Sequence, residues 1–128
     1  MVRKTLIGVA VQAVVVTVAF AQGGPIGSAA FAEAAQKALV QEYCESDGRF
    51  MQCLGVDVKK DGTRCAELMR GNWSFCRSTF MMTAPASIPQ EDARAYRDNL
   101  AGCLRSGAIA AVGKSAGSVD VCMKERKQ

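Results

Sequence analysis

Six cysteines, Cys44, Cys53, Cys65, Cys76, Cys103 and Cys122, all lie in the last two thirds of a 128-residue chain. An even number in a chain with room for one domain reads as a framework of three disulfides, provided the compartment is oxidising. A core this small is marginal alone, and each bridge contributes typically ~2–4 kcal/mol. No C-x-x-C step occurs, so a thioredoxin-like redox role has no support. The intervening spacings of 8, 11, 10, 26 and 18 residues fit no usual zinc pattern.

The start of the chain agrees with an oxidising destination. Arg3 and Lys4 precede an uncharged run from Thr5 to Phe20, which ends in Ala19-Phe20-Ala21. A basic start, an apolar core and an A-x-A end describe a secretory signal peptide. The run is shorter than the ~20 residues of a membrane span, and Gln12 interrupts it. The expected division is a signal peptide over 1–21 and one domain over 22–128, with no transmembrane segment after cleavage. Losing Arg3 and Lys4 takes the basic residues from 16 to 14 against 12 acidic ones, a formal charge of +2. That is too slight to point to nucleic acid or an anionic membrane.

Within residues 22–128 the apolar spacing is helical. Ser28 is placed to cap a helix whose inner face carries Phe31, Ala35, Ala38, Leu39 and Tyr43, with Glu33 and Lys37 an i,i+4 pair outside. Asp47-Gly48 ends or bends it, and Phe50 to Leu54 is a short apolar piece. Cys65, Met69, Trp73, Cys76 and Phe80 form the stripe of a helix from about Thr63, which Gly71-Asn72 can break. Pro89 suits the first helical position, followed by Glu91 and Asp92 where the helix dipole favours acids. Ala93, Tyr96, Leu100 and Cys103 face inward there, with Gly107 as the expected stop. Ser118 is expected to cap a last helix ending in Lys124, Arg126 and Lys127. No segment sustains period-two alternation. The expected class is all-α: about four helices in hairpins, stapled by three disulfides.

Facing residues of an antiparallel hairpin have a nearly constant sum of positions. Cys44–Cys76 and Cys53–Cys65 satisfy that condition together, leaving Cys103–Cys122 to close a second hairpin. Cys65 and Cys76 lie ~16 Å apart along a continuous helix, beyond the ~7 Å a disulfide allows. Those three pairs are the expectation, among the many that six cysteines permit, and they require the chain to break at Gly48.

The chain has no histidine. Ser-His and Cys-His nucleophile systems, the commonest general base and most zinc sites are thereby removed. Ala108-x4-Gly113-Lys114-Ser115 fits the loose form of a phosphate-binding loop, but no hydrophobic strand precedes it. It is expected to be an interhelical connection. Glu91-Asp92 and Glu42/Glu45 are carboxylate pairs of the kind glycosidases use, at positions where helices ordinarily carry acids. Asn72-Trp73-Ser74 is a glycosylation sequon. Phe75, Met81 and Met82 fall off the cysteine stripe, which makes them a candidate apolar partner surface. No catalytic residue, metal or cofactor is expected.

Cys44-x8-Cys53-Leu54-x10-Cys65 resembles the cysteine-rich repeat of Golgi sialoglycoproteins, also found in short exported bacterial proteins. The shared elements are a Cys-Leu step and a further cysteine about eleven residues on; the repeat's usual histidine is missing. The resemblance covers about a third of the chain and implies a helical, disulfide-bonded binding module without catalytic residues. The expected function is a small periplasmic or secreted binding or adaptor protein of the cell envelope, with another protein as partner. The alternative is a secreted effector or inhibitor acting on a foreign protein.

Overall fold

The computed structural model describes residues 24–45 and 48–126. The expected signal peptide, and Asp47 at the expected bend, lie outside the described residues. The expected all-α class is what the chain adopts: the described residues form five helices of nine residues or more, one short helix, and two strand pieces of two residues each.

Helix α1, Ser28–Glu45, buries Phe31, Ala32, Ala35, Leu39 and Val40 and leaves Glu33, Lys37 and Gln41 outside. Ala38, expected on the inner stripe, is exposed. The short apolar piece after Gly48 is itself helical: α2, Arg49–Cys53, buries Phe50, Met51 and Cys53. Gly48 enters it in the left-handed region at φ 70°, a conformation that favours a residue without Cβ. The turn that follows is held locally, because Asp57 Oδ1 accepts from the Lys59 and Lys60 main-chain N–H groups. Asp61 caps α3, Gly62–Arg70, by accepting from the Arg64 N–H at 3.2 Å.

The long cysteine stripe divides at Gly71-Asn72 into α3 and α4, Trp73–Met81. Cys65, Met69 and Cys76 are fully buried, while Trp73 and Phe80 are half-buried. The segments that lead into α1 and into the Pro89 helix pair with each other: β1, Ile26–Gly27, lies antiparallel to β2, Ser87–Ile88, with Ile26 opposite Ile88. The pairing brings Ile88 into the core, where it is 1% exposed. Pro89 serves as N-cap of α5, Gln90–Ala111, and Glu91 and Asp92 occupy its first turn.

Two expectations fail along the rest of the chain. Gly107 does not stop α5, which runs four residues further and buries Leu100, Ala101, Leu104 and Ala108. Ser118 does not cap the last helix, α6, Ala116–Arg126. That role belongs to Ser115, whose Oγ accepts from the Ser118 N–H at 3.1 Å. A local turn on Ser115 outcompeted the later serine because its side chain reaches an amide still unsatisfied in the first turn.

The disulfides correct the expected pairing at every bond. Cys44 joins Cys65, Cys53 joins Cys122 and Cys76 joins Cys103, with Cα separations of 5.7, 5.8 and 5.7 Å. The pairs Cys44–Cys76, Cys53–Cys65 and Cys103–Cys122 do not form. A constant position sum holds only if 44–53 and 65–76 are the arms of one hairpin. The break at Gly71-Asn72 instead lets α3 pack on α1 while α4 packs on α5. Cys65 and Cys76 therefore face different partner helices. The third bridge ties the short α2 to α6, joining cysteines 69 residues apart. Among the described residues no helix is long and apolar enough to cross a membrane.

Candidate partner surface

No group of three or more potential metal-ligating side chains occurs among the described residues. The phosphate-loop-like segment lacks the geometry that such a loop needs. Ala108 is buried in the last turns of α5, and Gly113 turns the chain at φ 71°. The Gly113 and Lys114 N–H groups donate to the Ala110 and Ile109 carbonyls, closing the end of the helix. Amides spent in this way cannot cradle a phosphate. Of the carboxylate pairs, Glu91 and Asp92 stand exposed in the first turn of α5. Glu42 accepts from Arg97 across the α1–α5 interface.

The sequon asparagine is also committed. Asn72 is half-buried, and its Nδ2 donates to Cys76 Sγ at 3.5 Å. Burial pushes the Tyr43 phenol above its usual pKa range, against the opposing pull of the Arg105 charge.

Helix α4 presents the most interface-like surface. Phe75 is 63% exposed and Met82, just past the last turn, is 77% exposed. With Thr79 they follow one another at i, i+4 and i+7, so one helical face carries all three. Met81, expected beside them, is buried and belongs to the core. The helix turns it inward, one residue before Met82. The Thr79 hydroxyl donates to the Phe75 carbonyl at 2.9 Å, so it offers no free donor to soften the apolar character.

Two depressions flank this face. One of about 410 Å³ is lined by Trp73, Ser74, Arg77, Ser78, Met81 and Met82. The other, about 570 Å³, lies toward α5 and includes Phe75, Thr79, Phe80, Gly102 and Arg105. Sequence reasoning passed over Arg77 and the outer edge of Trp73. The signal was present as an absence: from Gly71 to Gln90 the chain has no Lys, Asp or Glu, and Arg77 is its one charge. Buried centres of protein interfaces are depleted in Lys, Glu and Asp and enriched in aromatics, Met and Arg. Val121 is the other large exposed apolar side chain among the described residues; it stands singly on α6, as is ordinary for surfaces. Compared with protein-family models, curated proteins and solved structures, the chain matches none of them.

Proposed function

We propose that this chain is a small exported, non-catalytic binding or adaptor protein of the cell envelope, periplasmic or secreted, that engages another protein through α4. The observation that carries the reading is the exposed, charge-poor face of Phe75 and Met82, flanked by two shallow depressions, one of them lined by Trp73 and Arg77. Trp and Arg are the residue types that most often dominate binding energy at interfaces, and Met adapts its shape to a partner. Three disulfides support an oxidising compartment, where such bonds persist. The absence of histidine supports a non-catalytic role. The resemblance to the cysteine-rich repeat of Golgi sialoglycoproteins points the same way.

The test compares three charge insertions in the native host. Phe75→Asp and Met82→Asp are expected to lose the same cross-linked protein that the wild type retains, with unchanged melting temperature. Val121→Asp is expected to keep it. Identical cross-linking by all three variants would remove α4 from the interface.

A further inference from the structure

A second apolar site lies on a different face, between α1 and the start of α5. Ile26, Phe31, Ala34, Ala38 and Ala93 line a trough of about 610 Å³, within the range of small-molecule sites. Phe31 is buried and forms its floor, while Ala34 and Ala38 are exposed and too small to fill the space above it. This is where Ala38 stands after leaving the inner stripe expected of it.

The trough is charged at one place and with one sign. Arg94 and Arg97 line it, and among the described residues no aspartate or glutamate does. Arg97 is held by Glu42, with Asp98 a further 3.7 Å from its other amino group. Arg94 is different: its side chain is 92% exposed, and its one ion-pair contact among the described residues, to Asp98, is at the 4.0 Å limit. A pair so exposed adds little, so the guanidinium is free to turn toward the trough.

We propose that this trough binds the free anion of a medium-chain alkyl carboxylate, with the alkyl chain on Phe31 and the alanines and the carboxylate on Arg94. The apolar lining accounts for the chain, and Arg94, whose long, exposed pair with Asp98 can be exchanged for a ligand carboxylate, accounts for the sign of the head group, because guanidinium meets carboxylate in a two-pronged geometry. A bilayer is the less suitable source of that chemistry. Surface attraction of about 1 kcal/mol per basic residue needs clusters of roughly four to eight, and this site has two arginines. The proposal concerns a face other than α4 and stands independently of the function proposed above.

The test titrates the exported protein with sodium laurate below its micelle concentration, read by calorimetry and backbone NMR. Saturable binding is expected, with shifts confined to residues 26–38 and 93–97. Dodecyltrimethylammonium, with the same chain and the opposite head, should bind at least tenfold more weakly. Arg94→Gln should weaken laurate by about fivefold, the upper end for an exposed ion pair. Ala34→Trp, at an exposed position, should abolish binding while leaving the melting temperature unchanged. Equal affinity for both amphiphiles, shifts centred on α4, or binding only to phosphatidylglycerol vesicles would each overturn the proposal. So would a wild-type dimer that Ala34→Trp dissociates while laurate fails to bind, since a second copy would then fill the trough.

Discussion

Gly107 lies so close to Asn72 that a Cβ built at position 107 would stand 2.6 Å from the Asn72 Cβ. The contact closes α5 against the junction between α3 and α4, beside the Cys76–Cys103 bridge. It explains why a glycine persists inside a helix that it does not end. The neighbouring depression of about 760 Å³ includes both residues and is bounded by Arg64, Leu68 and Ala110.

Gly107→Ala is therefore expected to destabilise the fold by about 1–3 kcal/mol, the usual cost of overpacking. Gly102, on the same helix, has nothing within 4 Å of its would-be Cβ. Gly102→Ala should instead stabilise by roughly 0.5–1 kcal/mol through helix propensity alone. Opposite shifts in chemical denaturation midpoint would establish the contact; parallel shifts would refute it.

A second glycine pair separates backbone strain from crowding. Gly48 has φ 70° and a would-be Cβ 2.8 Å from Val58 Cγ2, whereas Gly55 has φ 83° and open space. Gly55→Ala should cost about 1–2 kcal/mol for the left-handed conformation. Gly48→Ala should cost more in the same denaturant titration, because Val58 must also move.

Non-reducing peptide mapping should recover Cys44–Cys65, Cys53–Cys122 and Cys76–Cys103. Recovery of Cys53–Cys65 or Cys103–Cys122 would restore the hairpin arrangement that the fold rejects.

The three bridges should differ in what they hold. Helix α6 buries only Val119 fully, with Cys122 and Met123 partly buried against the core, and Arg126 donates a hydrogen bond to Gln52 of the short α2 at 2.6 Å. An eleven-residue helix is marginal alone, so its docking depends on Cys53–Cys122. The double variant Cys53→Ser/Cys122→Ser should lose amide protection throughout α6 while α1 and α3 to α5 remain protected. Cys76→Ser/Cys103→Ser opens the core at the fully buried Cys76, and should lower protection globally. Indistinguishable hydrogen-exchange patterns would contradict this division.

Tyr43 gives a pH prediction. Its phenol pKa is raised by burial, so the folded state favours the neutral form. That stability is complete below the unfolded pKa of about 10 and is lost as pH rises through the higher folded value. Ultraviolet titration should show one tyrosine ionising above the free value, and Tyr43→Phe should remove that step.

The sequence by itself determined what is local or countable. Apolar residues three and four apart placed α1, α3, α4 and α5, because helical periodicity is carried by the residues of the helix itself. Six cysteines and no C-x-x-C step announced three disulfides, and the tertiary structure forms three. The surface at Phe75 and Met82 was visible because both depart from the cysteine stripe.

Only the tertiary structure decided the rest. Which cysteine meets which depends on the direction the chain takes after Gly71-Asn72, and a position sum has no term for that angle. Met81 is buried and Met82 exposed because successive helical residues lie about 100° apart, so the angle at which α4 packs selects between them. Gly107 reads as a stop until Asn72, 35 positions earlier, is brought against it. Ala38 reads as core until α5 packs where it leaves the Ala34–Ala38 face uncovered. In each case the deciding contact joins residues far apart in the chain, and local pattern records only neighbours.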